Sequence, residues 1–330
     1  MILVTKNNAI AQKIAEKLDT KDPIKPVYVH NNRVALAGIK ILPEKTLKEI
    51  SQDVVEIITN HHSAIVSSRS FHPEDTIIKT KHTIIGGDHF VFMAGPDSIE
   101  SPEHVLDMGR QVKSAGATIL RGGAFKPRTS PYSFQGSGEV GLKAHRAAAD
   151  TLRMDMVTEI LDTRDVELVD SYTDIFQVGT RNMQNFALLK ALGQKRKPVI
   201  LKRGMSATID DFLNAAEYIA AGGNHQIMLM ERGIRTYDNK YTRNTLDVSA
   251  IPVLQSMTHY PVIADASHAS GVAKFVSPLA LAATAAGSQG LMTEIHDDPE
   301  HAFVDGAQAL TPSEFIQLAE KVRQIHQIVQ

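Results

Sequence analysis

Charged side chains recur at one kind of place in this chain, at or just past the end of an apolar run. Asp97 follows VFMAGP, and Arg121, Lys126 and Arg128 follow ATIL. Glu159 lies in DMVTEIL, Arg181 follows IFQVG, and Lys202 and Arg203 close PVILKRG. Glu231, Arg232 and Arg235 end QIMLMERG, Asp265 and His268 end PVIADASH, and Glu294 and His296 end GLMTEIH. One such charge alone reads as a surface ion pair; eight runs in succession point to a shared site. The charges also sort by sign. Cations dominate the second, fourth, fifth and sixth runs, whereas Asp, His and Glu dominate the first, seventh and eighth.

Unpaired buried cations are costly, so a cationic arc implies an anionic ligand. Guanidinium forks suit phosphate and carboxylate, and this many cations exceed what one phosphate requires. Two phosphorylated substrates, or a phosphate with a carboxylate, are expected. The acidic arc offers Asp97, His268 and Glu294, with Asp305 in the following VDGAQAL. One imidazole with three carboxylates suits manganese or magnesium and tolerates iron or zinc. Taken alone, His268 reads equally well as a hydrogen-bonded structural histidine.

Composition narrows the classes. The chain has no cysteine, which removes disulfides, thiolate nucleophiles and thiolate metal ligands. Its formal charge of -2 over 330 residues gives no reason to expect nucleic acid or an anionic membrane. No apolar run approaches the roughly 18 residues of a membrane span. MILVTKNNAIAQK lacks the features of a signal peptide, so a cytoplasmic protein is expected.

The elements that must position these charges divide the chain into residues 1–70, 71–88 and 89–330. In the first part MILVT reads as a strand, NNAIAQKIAEKL as an Asn-capped helix, and KPVYVHNNRVALAGI as a hairpin about Asn-Asn. LPEKTLKEI adds a helix, and VVEII or SAIVSS a last strand. This β-α-β-β-α-β order predicts a small ferredoxin-like α+β domain. FHPEDTIIKTKHTIIGGDH reads as a linker with a short hairpin. From residue 89 the eight apolar runs are too uniformly apolar to be half exposed, and each pair is separated by enough chain for a crossover helix. Eight buried parallel strands over about 240 residues predict an α/β fold, a (β/α)8 TIM barrel with its site at the strands' C-terminal ends. A doubly wound sheet would need a glycine fingerprint that GPDSIES does not supply.

Over essentially the whole chain the sequence resembles the microbial 3-deoxy-D-arabino-heptulosonate 7-phosphate (DAHP) synthases, of the shorter type with a ferredoxin-like or ACT-like front domain. The likeness rests on SRSFHPEDT, AGPDSIESPE, KPRTSPYSFQG, VGTRNMQN, LKRGMSAT, ERGIRTY, YTRNTLD, DASHASG and TEIHDDPE, in family order. A sibling group, the 3-deoxy-octulosonate 8-phosphate synthases, shares the barrel, but KPRTS looks like the heptulosonate enzymes.

The resemblance implies condensation of phosphoenolpyruvate with erythrose 4-phosphate and release of inorganic phosphate, the first step of the shikimate pathway. It implies that Arg121, Lys126, Arg181, Lys202 and Arg232 hold phosphoenolpyruvate, and that Arg128, Thr129 and Ser130 hold the aldose phosphate. It also implies a divalent metal at Asp97, His268, Glu294 and Asp305, manganese being favoured over zinc, iron and magnesium. Lys126, Glu159, Lys202 and His268 are the expected catalytic groups. Relatives have cysteine at position 97, where this chain has Asp97; a carboxylate moves metal preference toward harder ions. The competing expectation is a phosphosugar-binding barrel without turnover, its metal centre impaired at this position. The front domain is expected either to bind phenylalanine or tyrosine or to serve assembly alone, in a homodimer or homotetramer.

Overall fold

The computed structural model describes residues 1–59, 63–128 and 130–329. It divides into two compact units, residues 1–75 with 256–259, and residues 76–255 with 260–330.

The smaller unit holds strands β1 (Ile2–Thr5), β2 (Val27–His30), β3 (Arg33–Leu36) and β4 (Val54–Ile58) in the order β2-β3-β1-β4. All of its pairings are antiparallel. Helices Asn8–Leu18 and Glu44–Ile50 complete the expected β-α-β-β-α-β order. Asn7 caps the first helix by accepting a bond from Ile10 N at 3.0 Å. His30 pairs with Arg33 across a two-residue turn, in which Asn31 takes the left-handed conformation that asparagine tolerates. Leu3, Ile14, Val34, Leu36 and Ile50 form the core. The last strand is VVEII; SAIVSS, the other candidate, forms none.

In the larger unit a short antiparallel hairpin, β5 (Ile78–Lys79) with β6 (Ile84–Ile85), precedes eight parallel strands. These are β7 (Val91–Gly95), β8 (Ile119–Arg121), β9 (Asp155–Ile160), β10 (Ile175–Val178), β11 (Val199–Lys202), β12 (Ile227–Glu231), β13 (Val262–Asp265) and β14 (Gly290–Glu294). They pair in sequence and close, β14 against β7, into a barrel. Each matches one apolar run, because a strand covered by helices outside and by packed lumen inside has no wet face. The hairpin's Ile78 and Ile85 pack with Met93, Ile119, Val157, Ile200, Met228 and Ile263 in one buried cluster. Asp155, at the start of β9, accepts bonds from Thr80 Oγ1 at 2.6 Å and His82 N at 3.2 Å. The hairpin therefore plugs the N-terminal end of the barrel, and the charged loops gather at the other end.

Candidate active site

At the C-terminal mouth lies a cavity of about 360 Å³. Asp97, Lys126, Arg128, Ser130, Glu159, Arg181, Arg232, His268 and Asp305 line it, all of them expected from sequence. Thr129 lies outside the described residues.

The site is built on the β7 and β8 ends. Gly95 has φ +151°, and a Cβ there would collide with the Arg121 carbonyl, so glycine lets the two strand ends approach. The loops beyond are then laced together, Gly123 N donating to Asp97 O at 2.9 Å and Ile99 N to Gly123 O at 3.1 Å. This sets Asp97 among cations. Arg121 directs both Nη1 and Nη2 to Asp97 Oδ1 at 3.1 Å. Lys126 Nζ donates to the Asp97 carbonyl at 3.0 Å and stands 2.5 Å from Oδ2, an ion contact without hydrogen-bond alignment. Burial alone would raise the Asp97 carboxyl, but Lys126 and Arg121 outweigh it and hold the group well below the usual range.

Across the mouth, His268 follows β13. Its Nδ1 lies 2.8 Å from Asp265 Oδ2, and Asp265 also caps the short helix by accepting from His268 N at 2.9 Å. Burial opposes ionisation of Asp265, but His268 and Lys202 keep it well below the usual range, so it is the acceptor and Nδ1–H the donor. The His268 Nε2 lone pair is then left facing Glu294 Oε1, at 3.1 Å. Burial holds the imidazole neutral by lowering its pKa to about 4. Glu294 is pushed well above the usual carboxylate range by burial and by the negative charge of Asp97. Its Oε1 has no hydrogen-bond partner, while its Oε2 accepts from Gln308 Nε2 at 2.5 Å.

Ligand atoms of Asp97, His268 and Glu294 converge to within 4.8 Å of one another. This donor set fits a divalent cation. An imidazole lone pair backed by a carboxylate, the Glu294 Oε1 that also lies 3.5 Å from Arg121 Nη2, and the Asp97 carboxylate stand together, and a cation there would let Glu294 ionise beside Asp97. Asp305 stands outside the convergence. In the left-handed conformation at the start of its turn, it accepts from Arg243 Nη1 at 3.2 Å and from Gln308 Nε2 at 3.4 Å.

The cations fall into two groups. Lys202 Nζ bonds Asp265 Oδ2 at 2.7 Å, and Arg203 is consumed by Glu231 at 2.9 Å and Asp247 at 2.8 Å. Arg128, Arg181 and Arg232 have no acidic partner among the described residues. Arg232 is buried, its Nε and Nη1 have no hydrogen-bond partner, and burial lowers its pKa. Glu159, at the β9 end, is pushed up by burial, with Lys126 and Lys202 opposing. Lys202 and Arg121 are not among the lining residues; Arg121 bonds the lining Asp97, and Lys202 bonds the Asp265 that holds His268. His296 is not among the lining residues, and its Nε2 meets Glu100 Oε1 at 3.3 Å. The lining also includes Arg243, Thr180 and Met205, which the sequence reading did not single out. Arg243 sits well past β12 in a long loop, so position relative to a strand end gave no signal, although YTRNTLD carries it.

Known proteins bear on this geometry. The DAHP synthetase I family model matches residues 74–330. A phospho-2-dehydro-3-deoxyheptonate aldolase of Thermotoga maritima is 48% identical over 258 residues, 78% of this chain and 76% of its own length. The crystal structure of a Thermotoga maritima DAHP synthase superposes with a TM-score of 0.80 at 39% identity, covering 99% of this chain and 97% of that one. A 2-dehydro-3-deoxyphosphooctonate aldolase of Koribacter versatilis is more distant, 30% identical over 70% of this chain and 89% of its own. With a closed barrel, a cation-lined mouth and a match over most of its length, the chain belongs to the DAHP synthetase I family.

Proposed function

We propose that the cavity at the barrel mouth condenses phosphoenolpyruvate with erythrose 4-phosphate to DAHP and inorganic phosphate, using residues in and around it in the following roles. The observation that carries this reading is Arg232, a buried guanidinium in the cavity wall with unsatisfied Nε and Nη1, because such a group is stable only if an anion completes it. Arg232 and Arg181 bind phosphoenolpyruvate together with Arg121, Lys126 and Lys202. Arg128, Thr129 and Ser130 take the aldose phosphate.

Carbon 3 of phosphoenolpyruvate is the nucleophile, so the protein supplies none. As it bonds to the aldehyde carbon, the carbonyl oxygen gains charge and takes a proton from Lys126 Nζ. Water adds at carbon 2, and the carbon–oxygen bond to phosphate then breaks. Glu159, its carboxyl pushed up by burial, accepts the water's proton, and Lys202 orients that water. Asp97, His268 and Glu294, with Asp305 nearby, would hold a divalent ion, which would supply Lewis acidity for the condensation. With a carboxylate at position 97 manganese is favoured over zinc, iron and magnesium. Much of the rate then comes from holding two mutually repelling anions in attacking geometry.

The test is phosphate release from the two substrates, with metal-stripped protein and after manganese, zinc or magnesium is restored. Manganese is expected to restore turnover, and Lys126→Met to lower it at least ~1000-fold with an unchanged circular-dichroism spectrum. Binding of both substrates without phosphate release under any metal would leave only a phosphosugar-binding barrel. Activity in Asp97→Cys alone would mean that the carboxylate disables the synthase.

A further inference from the structure

The Asp97 carboxylate has two oxygens and three positive claimants. Oδ1 takes both Arg121 nitrogens at 3.1 Å, and Oδ2 stands 2.5 Å from Lys126 Nζ. All three side chains are nearly closed to solvent, at 4% exposure for Asp97 and Arg121 and 8% for Lys126, so no water takes over the charge of whichever group is abandoned. The same carboxylate is one of the three groups converging on the place a divalent ion fits. We propose that Asp97 is a tethered counter-anion for Arg121 and Lys126, displaced jointly by the divalent metal and the anionic substrate, so that each of these ligands strengthens the binding of the other. The proposal rests on the reading that Asp97, His268 and Glu294 hold the metal while Arg121 and Lys126 face phosphoenolpyruvate.

The charge balance gives the sign. A metal arriving alone must draw Asp97 toward itself, leaving Lys126 without its carboxylate and Arg121 with only Glu294 Oε1, 3.5 Å away and itself drawn to the metal, beside a third positive centre. Phosphoenolpyruvate arriving alone must approach cations that already hold a carboxylate, and it is repelled by that carboxylate. When both arrive, the carboxylate moves to the metal and the substrate's oxygens take Arg121 and Lys126, so every buried charge keeps a partner. Coupling of this kind is reciprocal, and for two distinct ligands it commonly amounts to about 5- to 150-fold. A cysteine at this position would have a single sulfur and could not span Arg121 and Lys126 in this way, so the coupling belongs to the carboxylate.

The experiment uses the full chain, stripped of metal. Free manganese is followed by electron paramagnetic resonance with and without phosphoenolpyruvate, and phosphoenolpyruvate binding is followed by calorimetry with and without manganese. Each ligand is expected to tighten the other about tenfold or more, by the same factor in both directions. In Asp97→Asn, phosphoenolpyruvate is expected to bind metal-free protein more tightly than it binds the parent, because the competing anion is gone. Independent or antagonistic binding in the parent overturns the coupling and leaves the metal site standing. So does unchanged or weaker metal-free binding in Asp97→Asn. No manganese binding under either condition overturns the metal site and the coupling with it.

Discussion

Arg232 illustrates how a site can oppose the stability of its own fold. Its guanidinium lies buried without an ion-pair partner among the described residues, and the more distant carboxylates of Asp265 and Glu231 only partly offset its desolvation until a ligand anion arrives. Arg232→Leu should therefore keep or raise the thermal midpoint while raising KM for phosphoenolpyruvate roughly 30- to 150-fold, the equivalent of losing a charge-assisted bond of about 2–3 kcal/mol. Differential scanning fluorimetry and initial rates read the two effects separately. A fall in both would instead mark Arg232 as part of the packing. At this scale the sequence was informative about which charges face the mouth, because a barrel strand's end fixes where the next side chain emerges. It was silent about partners. Lys202 and Arg203 are neighbours in sequence, yet one bonds Asp265 and the other Glu231 and Asp247, and only three-dimensional distances separate those fates.

Elements matter through how they hold those ends. His145, on the helix Gly138–Leu152, is fully buried and donates from Nε2 to the Leu120 carbonyl at 3.1 Å, one residue before Arg121. Burial lowers its pKa to about 3, against 6.5 when free. The unfolded chain thus takes up this proton first as the pH falls. The stability His145 allows is complete above about pH 6.5 and is lost progressively toward pH 3. In His145→Gln, which keeps a donor but does not titrate, the slope of unfolding free energy against pH in that window should flatten by up to about 1.4 kcal/mol per pH unit. Urea titrations at a series of pH values measure it; an unchanged slope would mean that His145 does not titrate in this window. The apolar run ATIL located strand β8, and the chain before the next run left room for a helix, but neither shows which helical residue reaches which carbonyl. The same holds for Gly95, whose need for glycine depends on the Arg121 carbonyl of a neighbouring strand.

For the whole molecule, two patterns carried the architecture in advance: eight apolar runs that left no wet strand face, and a front β-α-β-β-α-β order. The short hairpin expected in the linker is present, and it joins the barrel's own core through Ile78 and Ile85. Two short isoleucine strands offer too little periodicity to reveal that destination. The front unit has its own core, and of its two expected roles, assembly alone or binding of phenylalanine or tyrosine, the second would lower turnover. At millimolar phenylalanine or tyrosine, phosphate release should then fall several-fold and calorimetry should register binding; neither response would leave the unit a structural role. The plugging hairpin also bears on traffic. With the far end of the barrel filled by side chains, everything that enters must leave by the door it came through. Phosphate and the new seven-carbon sugar therefore queue past the same cations that drew the substrates in, and each departing product stands for a time in the path of the next arrival.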